Sequence, residues 1–168
     1  DTVSFIAAGA EARRAAERLI EGAPAAACKP LTSVRLLAPM QPTTILCSGS
    51  NYLDHNAEKA NTPISGKEPE FFVKTADCVI GPDEPIVYDA LLSKKLDCEV
   101  ELAIVIGKPG RHIPVASALD HVFGYTIVND VTARDVQMRH KQWDLGKSFD
   151  TFCPMGPWIV TADEMDGR

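Results

Sequence analysis

Residues 96–107, Leu-Asp-Cys-Glu-Val-Glu-Leu-Ala-Ile-Val-Ile-Gly, constrain the fold more than any other stretch of this chain. Their polarity repeats every second residue, the period of a β-strand. Cys98, Val100, Leu102, Ile104 and Ile106 fall on one face, and Asp97, Glu99 and Glu101 on the other, followed there by Ala103 and Val105. The expected element is one long β-rich strand. Ala103 and Val105 continue the acidic face, so that face is expected to be partly buried. Two like charges on such a face are unfavourable unless a cation neutralises them. Spacing alone leaves the plainer alternative open, an edge strand with its acids in water.

If the face is buried, its chemistry is specific. Residues two apart on a strand are roughly 6.5–7 Å apart at Cα. Glutamates at that spacing reach a single ion with metal–oxygen bonds of about 2.0–2.6 Å. Asp130, closing the apolar strand expected over 124–129, offers a third oxygen ligand. Three carboxylates favour a hard cation: Mg²⁺, Mn²⁺ or Ca²⁺.

The remaining elements are short. A helix is expected over 4–21, capped by Ser4 and ended by Gly22 and Pro24. Strands are expected over 34–37, 45–47, 70–74, 78–80 and 152–160, helical turns over 114–122, and a short helix over 131–142. Residues 52–60 read as a surface helix or lid, and Gly81-Pro82-Asp83 as a turn. Frequent short strands with few long helices make an α+β, mainly β fold. The division expected is an N-terminal helix and linker over 1–42 and a catalytic domain over 43–168.

Composition excludes several classes. The 168 residues, 45% of them hydrophobic, suffice for one core. With 17 basic against 23 acidic residues the net charge is -6, the reverse of a nucleic-acid binder. No apolar run approaches the roughly 20 residues that span a bilayer, and no membrane partner is expected. The five cysteines are widely spaced and form no CxxC pair, which points to reduced thiols in a cytoplasmic protein.

Taken together, several stretches resemble the fumarylacetoacetate hydrolase superfamily, in its acylpyruvase and 2-hydroxyhepta-2,4-diene-1,7-dioate isomerase-like branch. They are Gly49-Ser50-Asn51-Tyr52-Leu53-Asp54-His55, 69–74, 96–102, 124–137, 146–150 and Cys153-Pro154. The resemblance implies a roll of mixed β-sheets, commonly dimeric, acting on small oxo-acids in catabolism. It implies Glu99, Glu101 and Asp130 as ligands of Mg²⁺ or Mn²⁺, and His55 with Glu58 as a lid dyad that deprotonates water. Lys74 would stand near that dyad, at the substrate. Arg134, Gln137 and Lys147 would meet the substrate's carboxylate and oxo oxygens, with Lys147 counted among the catalytic groups. These residue types suit those roles. Arg presents a planar fork to a carboxylate, Lys a compact charge to an oxyanion, and His a base near neutral pH. His112, His121 and His140 match no family role. Trp143, Phe149, Phe152 and Trp158 read as core or pocket wall.

The activity implied is metal-dependent hydrolysis of a carbon–carbon bond in acylpyruvates or related 2,4-dioxo acids. The alternative is decarboxylation or isomerisation of 2-oxo acids such as oxaloacetate or hydroxymuconate-type catabolites. A third reading, metal binding without turnover, follows from the lack of the family's Thr-Gly-Thr-Pro-type loop, which leads us to expect a piece of a longer protein.

Overall fold

Residues 1–52, 54 and 69–165 are described by the computed structural model. The strand expected over 96–107 forms in two pieces, β4 (Leu96–Asp97) and β5 (Val100–Ile106). Its partner is split likewise, into β6 (Val122–Asn129) and β7 (Thr132–Ala133). Asp97 pairs with Thr132 and Val100 with Asn129, so both antiparallel ladders keep one register across the gap. Glu99 and Asp130 therefore face each other inside the gap, tied by the Asp130 N–H to Glu99 O bond of 2.8 Å. Like charges directly opposed in a ladder repel. Here the two strands leave regular pairing at the opposed acids, and other groups gather round them.

Four more strands complete the sheets. β1 (Ile45–Ser48) pairs antiparallel with β2 (Phe71–Lys74), and β3 (Val79–Ile80) runs parallel to β8 (Cys153–Thr161). The four-stranded sheet has the order β3-β8-β6-β5. Two buried clusters hold it. Cys78, Val128, Cys153 and Met155 form one, and Val131, Ala133, Val136 and Phe152 the other, against Phe149. Val105 is buried, whereas Val100, Leu102, Ile104 and Ile106 are exposed. The acidic side of β5 is thus its inner side.

Among the described residues the α-helices with bounds are α1 (Thr2–Glu21), α2 (Arg134–Arg139) and α3 (Asp144–Lys147), and 3₁₀ turns, including Val115–His121, lie in the connections. α1 starts earlier than expected. Asp1, not Ser4, is its cap, accepting the Ser4 N–H at 2.8 Å. It breaks at Gly9, whose φ is 64°. Ile6 is its buried contact, and Arg13 pairs with Asp163.

Other expectations are corrected. Residues 34–37 form no strand. They lie between Pro30 and Pro39 with Val34 and Leu37 exposed, and no ladder partner holds them extended. Cys78 ends a 3₁₀ turn instead of opening β3. The helix expected over 131–142 is shorter, because Thr132 and Ala133 pair with β4. The helix or lid expected over 52–60 lies almost wholly outside the described residues. No described helix is long and apolar enough to cross a membrane, and all five cysteines are free.

Candidate active site

The opposed pair Glu99 and Asp130 is the floor of a cavity of about 320 Å³. Glu101, Arg134, Gln137 and Lys147 also line it, so six of the nine residues singled out in the sequence are brought together. His55 and Glu58 lie outside the described residues.

Lys147 is the centre of the charge network. α3 ends on it, and its side chain is 3% exposed. Its ammonium sits 2.6 Å from Glu99 Oε1 and 2.5 Å from Asp130 Oδ2, between the two opposed carboxylates. A buried ammonium is tolerated when it is paired in this way. Its Nζ also lies 4.9 Å from the centre of the Phe72 ring, within cation–π range.

Arg134 opens α2 and reaches back across the gap. It donates to Asp97 Oδ2 at 2.8 Å and to Gln137 Oε1 at 3.2 Å, and its Nη2 lies 3.1 Å from Glu99 Oε1. Its neighbour Asp135 is not among its ion-pair partners. Asp135 accepts instead from the Ser93 hydroxyl and the Lys94 N–H. Glu99 Oε1 thus meets Lys147, Arg134 and the hydroxyl of the fully buried Thr132, at 2.5 Å. Burial pushes the Glu99 carboxyl up, but the Lys147 and Thr132 hydrogen bonds and the charges of Lys147 and Arg134 outweigh it, holding the carboxyl below its ordinary value. Glu101 moves the other way. Burial, then the charges of Asp130 and Glu99, raise it, against a hydrogen bond from the Tyr52 hydroxyl.

Lys74, expected at the substrate, lies behind the described lining of the cavity. It is 1% exposed. Its ammonium donates to the carbonyls of Val131 and Lys147 and lies 2.8 Å from Asp130 Oδ1. That contact is off hydrogen-bond geometry, and Asp130 Oδ1 is a buried oxygen with no hydrogen-bond donor among the described residues. Lys74 works from behind, holding Asp130 and the backbone of Lys147.

Among the described residues no three His, Cys, Asp or Glu side chains form a ready coordination shell. The donor set still fits a hard divalent ion. Three carboxylates border one cavity, Glu101 is raised by burial and then by its acidic neighbours, and Asp130 Oδ1, ion-paired to Lys74, has no hydrogen-bond donor among the described residues. Sequence reasoning missed Thr132, Tyr52 and the aromatic lining of Phe72. Thr132 was legible as the residue two after Asp130; the others depend on the β1–β2 hairpin and on how it packs.

Comparison with known proteins shows the family. The family model for the fumarylacetoacetate (FAA) hydrolase C-terminal domain matches residues 44–168. The chain belongs to this family. The mitochondrial oxaloacetate tautomerase of Homo sapiens is 49% identical over 139 residues, 81% of this chain and 43% of that protein. Two solved family structures superpose well. The maleylpyruvate hydrolase of Sphingobium sp. SYK-6, in complex with manganese(II) and pyruvate, has a TM-score of 0.78 and 32% identity, covering 98% of this chain and 55% of that one. The 2-hydroxyhepta-2,4-diene-1,7-dioate isomerase of Mycobacterium marinum has a TM-score of 0.69 and 42% identity, covering 80% and 48%. The chain spans about half the length of these family members. Its α+β, mainly β sheet arrangement is the family's.

Proposed function

We propose that this chain carries the site of a metal-assisted isomerase or tautomerase of 2-oxo acids, with oxaloacetate the simplest substrate. The observation that carries the reading is the buried Lys147 ammonium, set with Arg134 among three carboxylates at one cavity. Tautomerisation removes a proton from the carbon beside the oxo group and puts one on the oxo oxygen. Negative charge grows on that oxygen, and Lys147 is the cation placed to meet it. Arg134 suits the neighbouring carboxylate. His55 is the residue type to take the carbon proton near neutral pH, with Glu58 behind it. Glu99, Glu101 and Asp130 would hold a divalent ion, which would supply Lewis-acid stabilisation of the enolate charge. The names of the human tautomerase and the mycobacterial isomerase support this reading over hydrolysis. A second reading, hydrolysis of an acylpyruvate through water activated by His55 and Glu58, is supported by the likeness to maleylpyruvate hydrolase. Free cysteines suit a reducing compartment, the cytoplasm among them.

One Mg²⁺ assay separates the readings by following oxaloacetate tautomerisation, oxaloacetate decarboxylation and acetylpyruvate cleavage. The expected result is accelerated tautomerisation, lowered about 10²–10³-fold in kcat by Lys147→Met. Cleavage of acetylpyruvate with no effect on the oxaloacetate equilibration rate would overturn the proposal. Calorimetry with Mn²⁺ should show binding weakened about tenfold or more by Asp130→Asn.

A further inference from the structure

Glu99 and Asp130 lie in the gap between two ladders, so the strand pleat alone does not aim their side chains. The backbone of Glu99 is pinned at both ends. Its carbonyl accepts the Asp130 N–H, and its N–H donates to Asn129 Oδ1 at 3.1 Å. The direction of the carboxylate is then set by the groups that meet its oxygens.

Three groups meet Glu99 on Oε1: the Lys147 ammonium at 2.6 Å, the Arg134 guanidinium at 3.1 Å and the Thr132 hydroxyl at 2.5 Å. Two of them are cations that line the cavity and hold other acceptors. Arg134 also bonds Asp97 and Gln137, and Lys147 also bonds Asp130. Either can turn towards an anion that enters. Thr132 is placed differently. It is 0% exposed, it is not part of the described lining, and its backbone is fixed in β7 opposite Asp97.

The hydroxyl has one proton and two acceptors in reach, Glu99 Oε1 at 2.5 Å and the Asp130 carbonyl at 3.1 Å. An ionised carboxylate is the stronger acceptor, and O–H···O⁻ bonds are short, about 2.5–2.7 Å. The proton therefore belongs to the bond with Glu99. A β-branched side chain is stiff at χ1, so the donor is a fixed point beside a carboxylate whose other contacts are movable cations. With Oε1 tied, Oε2 is the oxygen offered to an ion.

We infer that Thr132 is a positioning residue for the metal centre, its buried hydroxyl holding Glu99 by Oε1 so that Oε2 faces the ion. This rests on the reading of Glu99, Glu101 and Asp130 as ligands. The test is calorimetric Mn²⁺ binding by the wild-type chain, Thr132→Val and Thr132→Ser, with urea unfolding of each in EDTA. Thr132→Val keeps the branched shape and removes the donor, whereas Thr132→Ser keeps the donor. Thr132→Val should raise the Mn²⁺ Kd about tenfold or more, the usual effect of losing a group that orients a ligand, and Thr132→Ser should restore most of the affinity. A folded Thr132→Val with the wild-type Kd and only a lower urea midpoint overturns the role and leaves the metal reading standing. Equal weakening by Val and Ser traces the effect to packing and overturns it too. If Thr132→Val does not fold, Thr132→Ala against Thr132→Ser makes the same comparison, and equal Kd values overturn the role. A wild-type chain that binds no Mn²⁺ overturns the role together with the metal reading.

Discussion

Lys74 shows most clearly how this site is built. Its ammonium is buried beside Asp130 and two carbonyls, and removing it leaves a buried carboxylate facing one cation fewer. Breaking a buried pair from one side typically costs about 3–5 kcal/mol, far more than an exposed pair. Lys74→Met should therefore lower unfolding free energy by roughly that amount in urea titration. The double variant Lys74→Met, Asp130→Leu should recover part of the loss, because it removes the stranded charge as well. A neutral Lys74→Met would mean that the pair contributes little. Lys74 itself was picked out by its family match, but its role was not legible. The residue type is equally suited to touching substrate, and only burial shows that it serves Asp130. Glu99 and Asp130 were legible one by one, whereas their direct opposition needed the strand register.

The split ladder and the approach of α2 to α3 set the site. A Cβ at Gly146 would lie 2.7 Å from Gln137 N and 2.9 Å from its Cα. Glycine here lets α3 lie against α2, and Lys147 is the next residue. Gly146→Ala must push the helices apart. It should cost about 1–3 kcal/mol in stability and, by shifting the Lys147 ammonium, reduce kcat by more than the folded fraction alone explains. Wild-type kcat in a folded Gly146→Ala protein would show that Lys147 placement tolerates the shift. The alternation over 96–107 announced a strand correctly but not its interruption. Hydrophobic period reports which way side chains point; it does not report repulsion between acids that a partner strand brings opposite one another.

On the scale of the whole molecule, the inward turn of the acidic face has a consequence outside. Val100, Leu102, Ile104 and Ile106 on β5, Ile127 on β6 and Trp158 on β8 are all exposed. Exposed apolar side chains on one sheet favour association, and we propose that the homodimer expected from the sequence forms over them. Sedimentation velocity of this chain should show concentration-dependent self-association, and a Leu102→Lys, Ile104→Lys variant should sediment as a monomer. Equal association in the variant would place the contact elsewhere. The sequence located Val100, Leu102, Ile104 and Ile106 on one face without deciding its exposure, because both faces of the strand carry apolar residues, and the reading of Trp158 as core or pocket wall is corrected by its exposure.

The sequence by itself determined the mainly β class, the alternating strand, the family and the set of acids, lysine, arginine and glutamine that meet at the cavity. These depend on local period and on motifs contiguous along the chain. The tertiary structure alone decided between inward and solvated acids, that Glu99 opposes Asp130, that Lys74 is a buried support and that Phe72 joins Trp143 at the cavity. Those features arise from register and packing between segments distant in sequence, where burial and charge, not propensity, select the arrangement.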